Sequence, residues 1–278
     1  MRIITNTAAL LRPEEGRKLG IRIVPVGVSL RSHFLRDYID ISSDEYTDLL
    51  SGADAGQPKT SQPSVGDVID ALEESDEETI LLTVGDGLSG EYSTAVSVRN
   101  SLPNKDRIHV IDSGSLGASL RHLALQAASL RDQGLSVAEI VSRLRSNARS
   151  SSSFVIPSDL SYLKRSGRIS NLTQKVGSAL QLLPVLTQTE DRQRISLMTV
   201  KRTWNTAVGA VLKRMKETGV DENYVVSIQY ADKPDLAERI RARVREVFPY
   251  TENEVLQLAP SLITHGGPGC IVMQAIRK

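Results

Sequence analysis

Short apolar runs rich in Val, Ile and Leu alternate along the chain with longer segments in which apolar residues recur at helical spacing. In the first half, the short runs predict strands over 2–5, 21–30, 78–84 and 107–112. The helical spacing predicts helices between and after these strands, the last two over 115–132 and 136–148. Strands that alternate with helices are typical of an α/β sheet, so we predict an α/β fold.

Four consecutive serines at 150–153 interrupt this pattern, which then starts again. A run of small polar residues between periodic segments is typical of a connection, so we predict domains at 1–150 and 151–278. In the second domain, an apolar helix over 171–183 is predicted to end before Pro184, because proline disfavours helical backbone in the preceding residue. The remaining pattern predicts strands over 194–200, 223–230 and 270–276 and helices over 204–218 and 234–247.

Charge and composition exclude several classes of protein. The 278 residues include 34 Lys and Arg against 33 Asp and Glu, so the net charge indicates neither nucleic-acid nor membrane-surface binding. Cys270 is the one cysteine, which rules out an internal disulfide and fits a reducing compartment. The start of the chain lacks an apolar secretory segment, and no run approaches the roughly 18 apolar residues of a membrane helix, so we expect a cytoplasmic protein without stable membrane insertion. The Cys and His spacings of metal sites do not occur, so no metal is expected.

A glycine-rich turn follows the third predicted strand. Gly85, Gly87 and Gly90 match the G-x-G-x-x-G pattern of dinucleotide sites, and Asp112 ends the next strand about 20 residues further on. One hypothesis is therefore a nucleotide-dependent enzyme. Two features argue against it: no glycine follows the first strand, where this motif usually lies, and the charge of Glu91 would oppose a diphosphate at the helix start. Glycines that only form a tight turn explain the pattern equally well.

Ser89 lies in the same turn, immediately before the next predicted helix. Backbone N–H groups at a helix start attract an anion, and a neighbouring hydroxyl can donate one more hydrogen bond, so a carboxylate would suit this place. The alternative is that Ser89 is only a helix N-cap. A serine hydrolase built on Ser89, Asp112 and His265 is a further hypothesis, since the chain order fits, but the G-x-S-x-G elbow is absent.

Two further segments offer polar groups to a ligand. In the stretch PKTSQPSVGD, Thr60, Ser61 and Ser64 lie in a predicted loop between two prolines, and hydroxyls held rigidly lose little entropy on binding. Ser64 is explained as a helix cap, whereas Thr60 and Ser61 have no such local role. Near the C-terminus, His265 precedes a glycine-rich loop whose backbone can approach a ligand closely.

Taken together, these segments resemble the DegV-like proteins, the fatty-acid-binding subunits of the bacterial fatty acid kinase system. The resemblance extends through nearly the whole chain and implies a two-domain α/β fold with a ligand tunnel between the domains. It rests on five motifs in the family's order: KTSQPSVGD (59–67), GLSGEYSTA (87–95), VIDSGS (110–115), YLKRSGRIS (162–170) and HGGPG (265–269).

The resemblance also implies a function and a set of site residues. One long-chain fatty acid would lie in the tunnel, and a partner kinase would phosphorylate its exposed carboxylate to an acyl phosphate. The chain itself would be a lipid-binding subunit without catalysis or a cofactor of its own. Thr60 and Ser89 would bind the carboxylate, supported by Ser61, Gly90 and Gly266. The residues at the mouth of the tunnel, where phosphate transfer and kinase docking occur, would be Arg168, Arg202 and His265.

Several positions depart from the family's usual motifs. Asn6 replaces an acidic residue in the N-terminal motif, and Gly266 replaces the threonine of an HTGPG motif. Gly85 and Asp86 stand where two serines are usual, and the Asp86 charge could repel a nearby carboxylate. Leu183 stands where a lysine is usual. These changes bear on phosphate transfer more than on the fold or on ligand binding.

Overall fold

The computed structural model of the protein describes residues 1–31, 33–52, 56–167 and 182–278. These residues form two compact units. The first unit comprises Met1–Ser42, Gly56–Ser150 and Ala259–Ser261, and the second comprises the described residues of Ser43–Ala55, Ser151–Leu258 and Leu262–Lys278. The predicted domains are 1–150 and 151–278. The units differ from them in two short segments: the described residues of 43–55 belong to the second unit, and 259–261 belong to the first.

The strands in chain order are β1 Arg2–Asn6, β2 Ile21–Val24, β3 Gly27–Leu30, β4 His33–Arg36, β5 Lys59–Ser61, β6 Thr79–Thr83, β7 Ile108–Asp112, β8 Ser152–Ile156, β9 Leu183–Gln188, β10 Ile195–Lys201, β11 Tyr224–Tyr230, β12 Glu252–Gln257 and β13 Ile271–Arg277. The helices are α1 Pro13–Lys18, α2 Ser43–Ser51, α3 Val65–Glu73, α4 Glu91–Ser101, α5 Ala118–Asp132, α6 Val137–Asn147, α7 Leu160–Ser166, α8 Trp204–Glu217, α9 Pro234–Val247 and α10 Pro260–Gly266.

The first unit is built on a four-stranded parallel sheet with the strand order β2-β1-β6-β7. Every residue of β6 is buried, as expected for a parallel strand that is covered on both faces. Helices α3 and α4 pack on this sheet, where Val68, Leu72 and Ala95 share one apolar cluster with Ile4 and Leu81. Helices α5 and α6 also pack against the sheet.

A small antiparallel sheet of β4, β3 and β5 belongs to the first unit as well. The prediction of a single strand over 21–30 is wrong, because this run divides at Pro25 into β2 of the parallel sheet and β3 of the small one. Proline has no N–H group to continue a ladder of hydrogen bonds, so the break falls at this residue. Val28 of β3 is fully buried and pairs with Thr60 of β5.

The second unit is built on a six-stranded sheet with the strand order β10-β9-β8-β13-β11-β12. Neighbouring strands are antiparallel, except that β11 and β12 are parallel. Helices α8 and α9 pack on the sheet, where Val208, Val211, Ile240 and Val244 are buried in one cluster with Phe154. The helices predicted from apolar spacing in this region are confirmed.

The sequence pattern misses β8, β9 and β12. Strand β8 contains two serines of the 150–153 run, which the pattern assigns to a connection, whereas pairing with β13 places them in the sheet. The helix predicted over 171–183 lies almost wholly outside the described residues, and Leu183 begins β9. Within the described ranges, no helix has both the length and the apolar character that crossing a membrane requires.

Candidate functional site

The glycine-rich turn lies at the edge of the parallel sheet where α/β proteins bind ligands. Such sites form at the carboxyl ends of the strands, at the point where the strand order reverses. In the order β2-β1-β6-β7, this point lies between β1 and β6. Asn6 ends β1, and the turn 84–90 connects β6 to α4. The sequence motif therefore lies at the topologically expected place.

Asn6 and Glu91 form a buried pair at this point. The Asn6 amide donates to both carboxylate oxygens of Glu91, with distances of 2.6 Å to Oε1 and 2.8 Å to Oε2. The backbone N–H of Val84 also donates to Oε2 at 3.1 Å, and Asn6 Oδ1 accepts from Ala8 N at 2.8 Å. Burial raises the pKa of the Glu91 carboxyl to about 7, although the hydrogen bonds from Asn6 and Val84 act in the opposite direction. This network ties the end of β1 to the turn after β6.

The amide of Asn6 is the chemical complement of the acid at Glu91. An aspartate at position 6 would place a second carboxyl against a buried one, and two neighbouring carboxyls resist ionising together. The departure at Asn6 from the usual acidic residue is therefore matched by the buried acid that this chain carries at Glu91.

Ser89 is half-buried in the turn, two residues before Glu91. Its Oγ accepts a hydrogen bond from the backbone N–H of Glu91 at 3.2 Å. The N-cap of α4 is Gly90, so the alternative of Ser89 as the N-cap residue is wrong by one position. In the part of the chain that the structure describes, the Ser89 hydroxyl proton has no protein acceptor. This hydroxyl can therefore donate a hydrogen bond to a ligand.

Thr60 and Ser61 lie in β5, so the prediction of a loop for them is wrong. Pairing with β3 orders this backbone, in addition to the flanking prolines. Thr60 is half-buried, whereas Ser61 is exposed and lies against Gly27, where an added Cβ would be 2.5 Å from Ser61 Oγ. Ser64 caps α3 as predicted, because its Oγ accepts from the backbone N–H of Asp67 at 3.0 Å.

Gln62 joins the segment of Thr60 to the turn of Ser89. Its Nε2 donates to Thr94 Oγ1 on α4 at 2.8 Å. Its Oε1 lies 3.9 Å from the position that a Cβ at Gly90 would occupy. The motifs at 59–67 and 87–95 thus meet at one place in the first unit. Beside them is a small cavity, lined in part by Thr5, Val24, Val68 and Leu81.

The residues of the two enzyme hypotheses have packing and turn roles. An added Cβ at Gly85 would lie 2.7 Å from Gly114 C and Ser115 N, so this glycine permits a close contact with the turn after β7. Asp112 Oδ1 accepts from the backbone N–H groups of Asp86 at 3.1 Å and Gly114 at 2.8 Å. Of the described residues, no three or more His, Cys, Asp or Glu are grouped as a metal site would require.

Two other departures have local explanations. Asp86 is exposed, and its Oδ1 accepts a hydrogen bond from Ser93 Oγ at 3.4 Å, which holds the carboxylate beside the surface of α4. Leu183 is half-buried and packs against the core of the second unit. A lysine at that position would have to extend its ammonium group out of the apolar contact.

Two of the three residues predicted at the mouth are among the described residues, and both belong to the second unit. Arg202 is exposed and follows β10 directly, and His265 is half-buried in the last turn of α10. Both belong to the second unit, whereas Thr60 and Ser89 belong to the first. Arg168 lies outside the described residues. The mouth itself stays a prediction.

Gly266 packs against Cys270. An added Cβ at Gly266 would lie 2.6 Å from Cys270 Sγ and 2.9 Å from Cys270 Cβ. Burial raises the pKa of the Cys270 thiol to about 12, so the group stays protonated and acts as a small apolar side chain. The threonine that is usual at position 266 has no room while Cys270 fills this space.

Sequence reasoning missed the roles of Asn6, Glu91 and Gln62. Asn6 and Glu91 are 85 positions apart, and no local pattern relates them. The signal that was present is indirect: Asn6 departs from a motif, and Glu91 is an acid at a helix start that follows a buried strand.

Comparisons with known proteins confirm the resemblance. The family model described as "Uncharacterised protein, DegV family" matches residues 1–278. A DegV domain-containing protein of Staphylococcus aureus (strain N315) is 26% identical over 280 residues, which cover 99% of this chain and 98% of that protein.

Two solved structures have the same fold over the whole chain. The DegV family protein from Thermus thermophilus, described as fatty acid binding, matches with a TM-score of 0.88 and 27% identity, and 100% of both chains is covered. A stearic-acid-binding protein from Eubacterium ventriosum matches with a TM-score of 0.87 and 26% identity, covering 100% of this chain and 99% of that one. Because the family model matches residues 1–278, the chain belongs to the DegV family.

Proposed function

We propose that this chain binds one long-chain fatty acid and presents its carboxylate to a partner kinase, which phosphorylates it to an acyl phosphate. In this proposal the chain is a binding subunit, the kinase supplies the catalysis, and no cofactor is needed here. The step takes place in the cytoplasm. The Thermus thermophilus and Eubacterium ventriosum proteins, which are described as binding fatty acids, support this choice of ligand.

The hydroxyl of Ser89 is the observation that carries the proposal. Its oxygen is occupied by the N–H of Glu91, while its proton meets no acceptor among the described residues. A hydroxyl in this state donates a charge-assisted hydrogen bond to a carboxylate. Gln62, two residues after Thr60, contacts Thr94 and lies near Gly90 of the same turn, and in the proposal Thr60 supplies the second hydroxyl of the clamp.

The surroundings of Ser89 limit the repulsion that a bound carboxylate would meet. Burial raises the pKa of Glu91 to about 7, so this acid is largely neutral below that pH. The amide of Asn6 contacts the same group and adds no charge. A neutral clamp is sufficient, because burying an acyl chain of about 16 carbons contributes on the order of 10 kcal/mol before the costs of ordering.

The polar groups assigned to the mouth suit phosphate transfer. In the proposal, Arg168 and Arg202 supply positive charge for the phosphoryl group, and His265 donates a hydrogen bond to the carboxylate or to phosphoryl oxygens. A neutral imidazole donates through one ring nitrogen and a charged one through both, so either charge state can supply this hydrogen bond. The order of the family's motifs along the chain supports these assignments. Arg202 is also exposed, as a residue that contacts a docking partner has to be.

Ser89→Ala tests the clamp, with Ser97→Ala as its matched control on the exposed side of α4, where Ser97 Oγ donates to Ser93 O. We expect Ser89→Ala to weaken binding of palmitate by roughly 1–2 kcal/mol, since one hydrogen bond to a charged group is lost. Ser97→Ala should bind like the unmodified chain. Equal affinities for both variants in a calorimetric titration would contradict the assignment of Ser89.

His265→Ala tests the phosphotransfer half of the proposal. This variant should retain its fatty acid but lose most acyl-phosphate formation with a cognate kinase, because the contribution of His265 is larger in the transition state than in the resting complex. The measurement pairs lipid content with kinase-coupled turnover. Equal turnover at equal lipid occupancy would remove His265 from the mechanism.

A further inference from the structure

A cavity of about 360 Å³ opens between α8 and α9 in the second unit. Its apolar wall is formed by Trp204, Val208, Leu236 and Ile240. Trp204 is only partly buried, so one side of its indole is available for contact. The volume lies in the range of pockets that bind small molecules, which usually combine an apolar wall with a few polar groups.

Arg243 is held at this cavity by a defined set of contacts. Its Nη1 donates to the backbone oxygen of Asn205 at 2.7 Å and also to Asn205 Oδ1. An added Cβ at Gly209, in the interior of α8, would lie 3.1 Å from Arg243 Nη2. A glycine inside a helix is destabilising relative to alanine, and here it gives the guanidinium room to lie across α8.

Arg239 lies one turn before Arg243 on the same face of α9, and its side chain is exposed. Like charges four residues apart on a helix repel each other. Among the described residues that line the cavity, none is acidic, so no carboxylate from the wall offsets this pair. Arg241, by contrast, faces other partners: its guanidinium pairs with Glu238 and donates to Asn253.

We propose that this cavity binds a small amphipathic anion, with its apolar body on Trp204 and Ile240 and its carboxylate or phosphate between Arg239 and Arg243. Two cations beside an apolar wall match a ligand with one charged head and one apolar body. The site lies within the second unit and uses neither Thr60 nor Ser89. It is therefore additional to the fatty acid site proposed above and does not depend on it.

Trp204 is the one tryptophan of the chain, so its fluorescence reports directly on this cavity. The probes are octanoate and octyl phosphate, with octanol as the neutral control, titrated into protein that has been saturated with palmitate. We expect a saturable change in Trp204 emission with both anions, weaker binding of octanol, and affinities that fall as salt is added. Mass spectrometry of the protein after titration should show an unchanged palmitate content.

Arg239→Gln and Arg241→Gln form the matched pair of variants. Loss of one charge-assisted contact should weaken octyl phosphate binding about tenfold in Arg239→Gln, whereas Arg241→Gln should bind like the unmodified chain. Equal binding by the two variants would overturn the proposal, as would equal affinities for octanol and octanoate. Displacement of palmitate by the probes would assign the response to the fatty acid site instead. A response to an acidic peptide alone would overturn the small-molecule site in favour of a partner protein.

Discussion

Glu91 occupies the first position of α4, and its side chain turns back to accept hydrogen bonds from Asn6 and Val84 N. A buried acid is costly unless it is neutral or hydrogen-bonded. Glu91 meets both conditions in part, because burial raises its pKa to about 7 and N–H groups surround its oxygens. The pair with Asn6 fixes the turn that carries Ser89, so these residues affect the proposed clamp through its backbone.

We expect the acid and the amide of this pair to be exchangeable only together. Asn6→Asp should lower the free energy of unfolding by about 2 kcal/mol at pH 8, because two carboxyls then face each other in a buried site. In the double variant Asn6→Asp, Glu91→Gln, the new amide donates to the new acid, and its oxygen still accepts from Val84 N. Chemical denaturation of the four proteins should give a coupling free energy of about 1–3 kcal/mol. Additive effects would contradict the direct pairing.

Gly266 and Cys270 should also depend on each other. Gly266→Ala forces a methyl group to 2.6 Å from Cys270 Sγ, and such overpacking typically costs about 1–3 kcal/mol of stability. The cost should be smaller in the background of Cys270→Gly, which removes the atoms that clash. Gly66→Ala in α3 is the control, since its nearest neighbour would be 3.8 Å away. Equal losses in both backgrounds would show that Cys270 does not limit this position.

At the scale of elements, the start of α10 is held by a buried acid. Asp37 Oδ1 accepts from the backbone N–H of Ser261 at 3.0 Å, and Oδ2 accepts from Ser261 Oγ and from Thr7 Oγ1. Burial raises the pKa of Asp37 to about 7, although these hydrogen bonds act in the opposite direction. The helix that begins here ends at Gly266, within the HGGPG motif.

The raised pKa values of Asp37 and Glu91 predict that the protein becomes more stable as the pH falls from 8 to 5. Both groups bind a proton more tightly when folded, with pKa values of about 7 against ordinary values of 3.8 and 4.5. The stabilisation is fully present below the unfolded pKa values and is lost as the pH rises through about 7. Each group contributes a slope of at most about 1.4 kcal/mol per pH unit.

Urea denaturation at pH 5, 6, 7 and 8 measures this dependence, with buffers of about equal ionic strength. Asp37→Asn and Glu91→Gln should each remove part of the slope, and Asp67→Asn, at an exposed position of α3, should leave it unchanged. A protein whose stability falls steadily from pH 8 to pH 5 would contradict the protonated state of these two acids.

Periodic elements were predictable from the sequence, whereas contacts between distant segments were not. Each periodic element has its signal within one short stretch of sequence: the apolar spacing of α8 and α9, and the apolar run of β6. Strand β12 does not, because ENEVLQ is largely polar and half-buried, and its pairing with β11 decides its structure. At the candidate site, a local motif predicts Ser89, but the partner of Glu91 lies 85 residues away in the chain.

At the scale of the whole molecule, the clamp residues Thr60 and Ser89 and the cavity proposed as a second site belong to different units of the chain. The parallel sheet of the first unit carries the hydroxyl of Ser89 at its carboxyl edge, and the second unit carries the basic cavity between α8 and α9. The family model matches residues 1–278, and the fold agrees with a solved structure of the family at a TM-score of 0.88. The departures from the family's usual motifs are changes of single side chains that leave this architecture intact. We expect ligand binding to be retained and kinase-dependent turnover to be the property most sensitive to these differences.

Mass spectrometry of an organic extract from the purified, denatured protein shows directly whether the chain holds a fatty acid. An apolar ligand in a buried site leaves slowly, so the protein should keep fatty acid from its expression host through purification. We expect a long-chain fatty acid at close to one molecule per chain, and a reduced amount in Ser89→Ala after prolonged washing. Recovery of a dinucleotide, or of no lipid even after incubation with palmitate, would contradict this expectation.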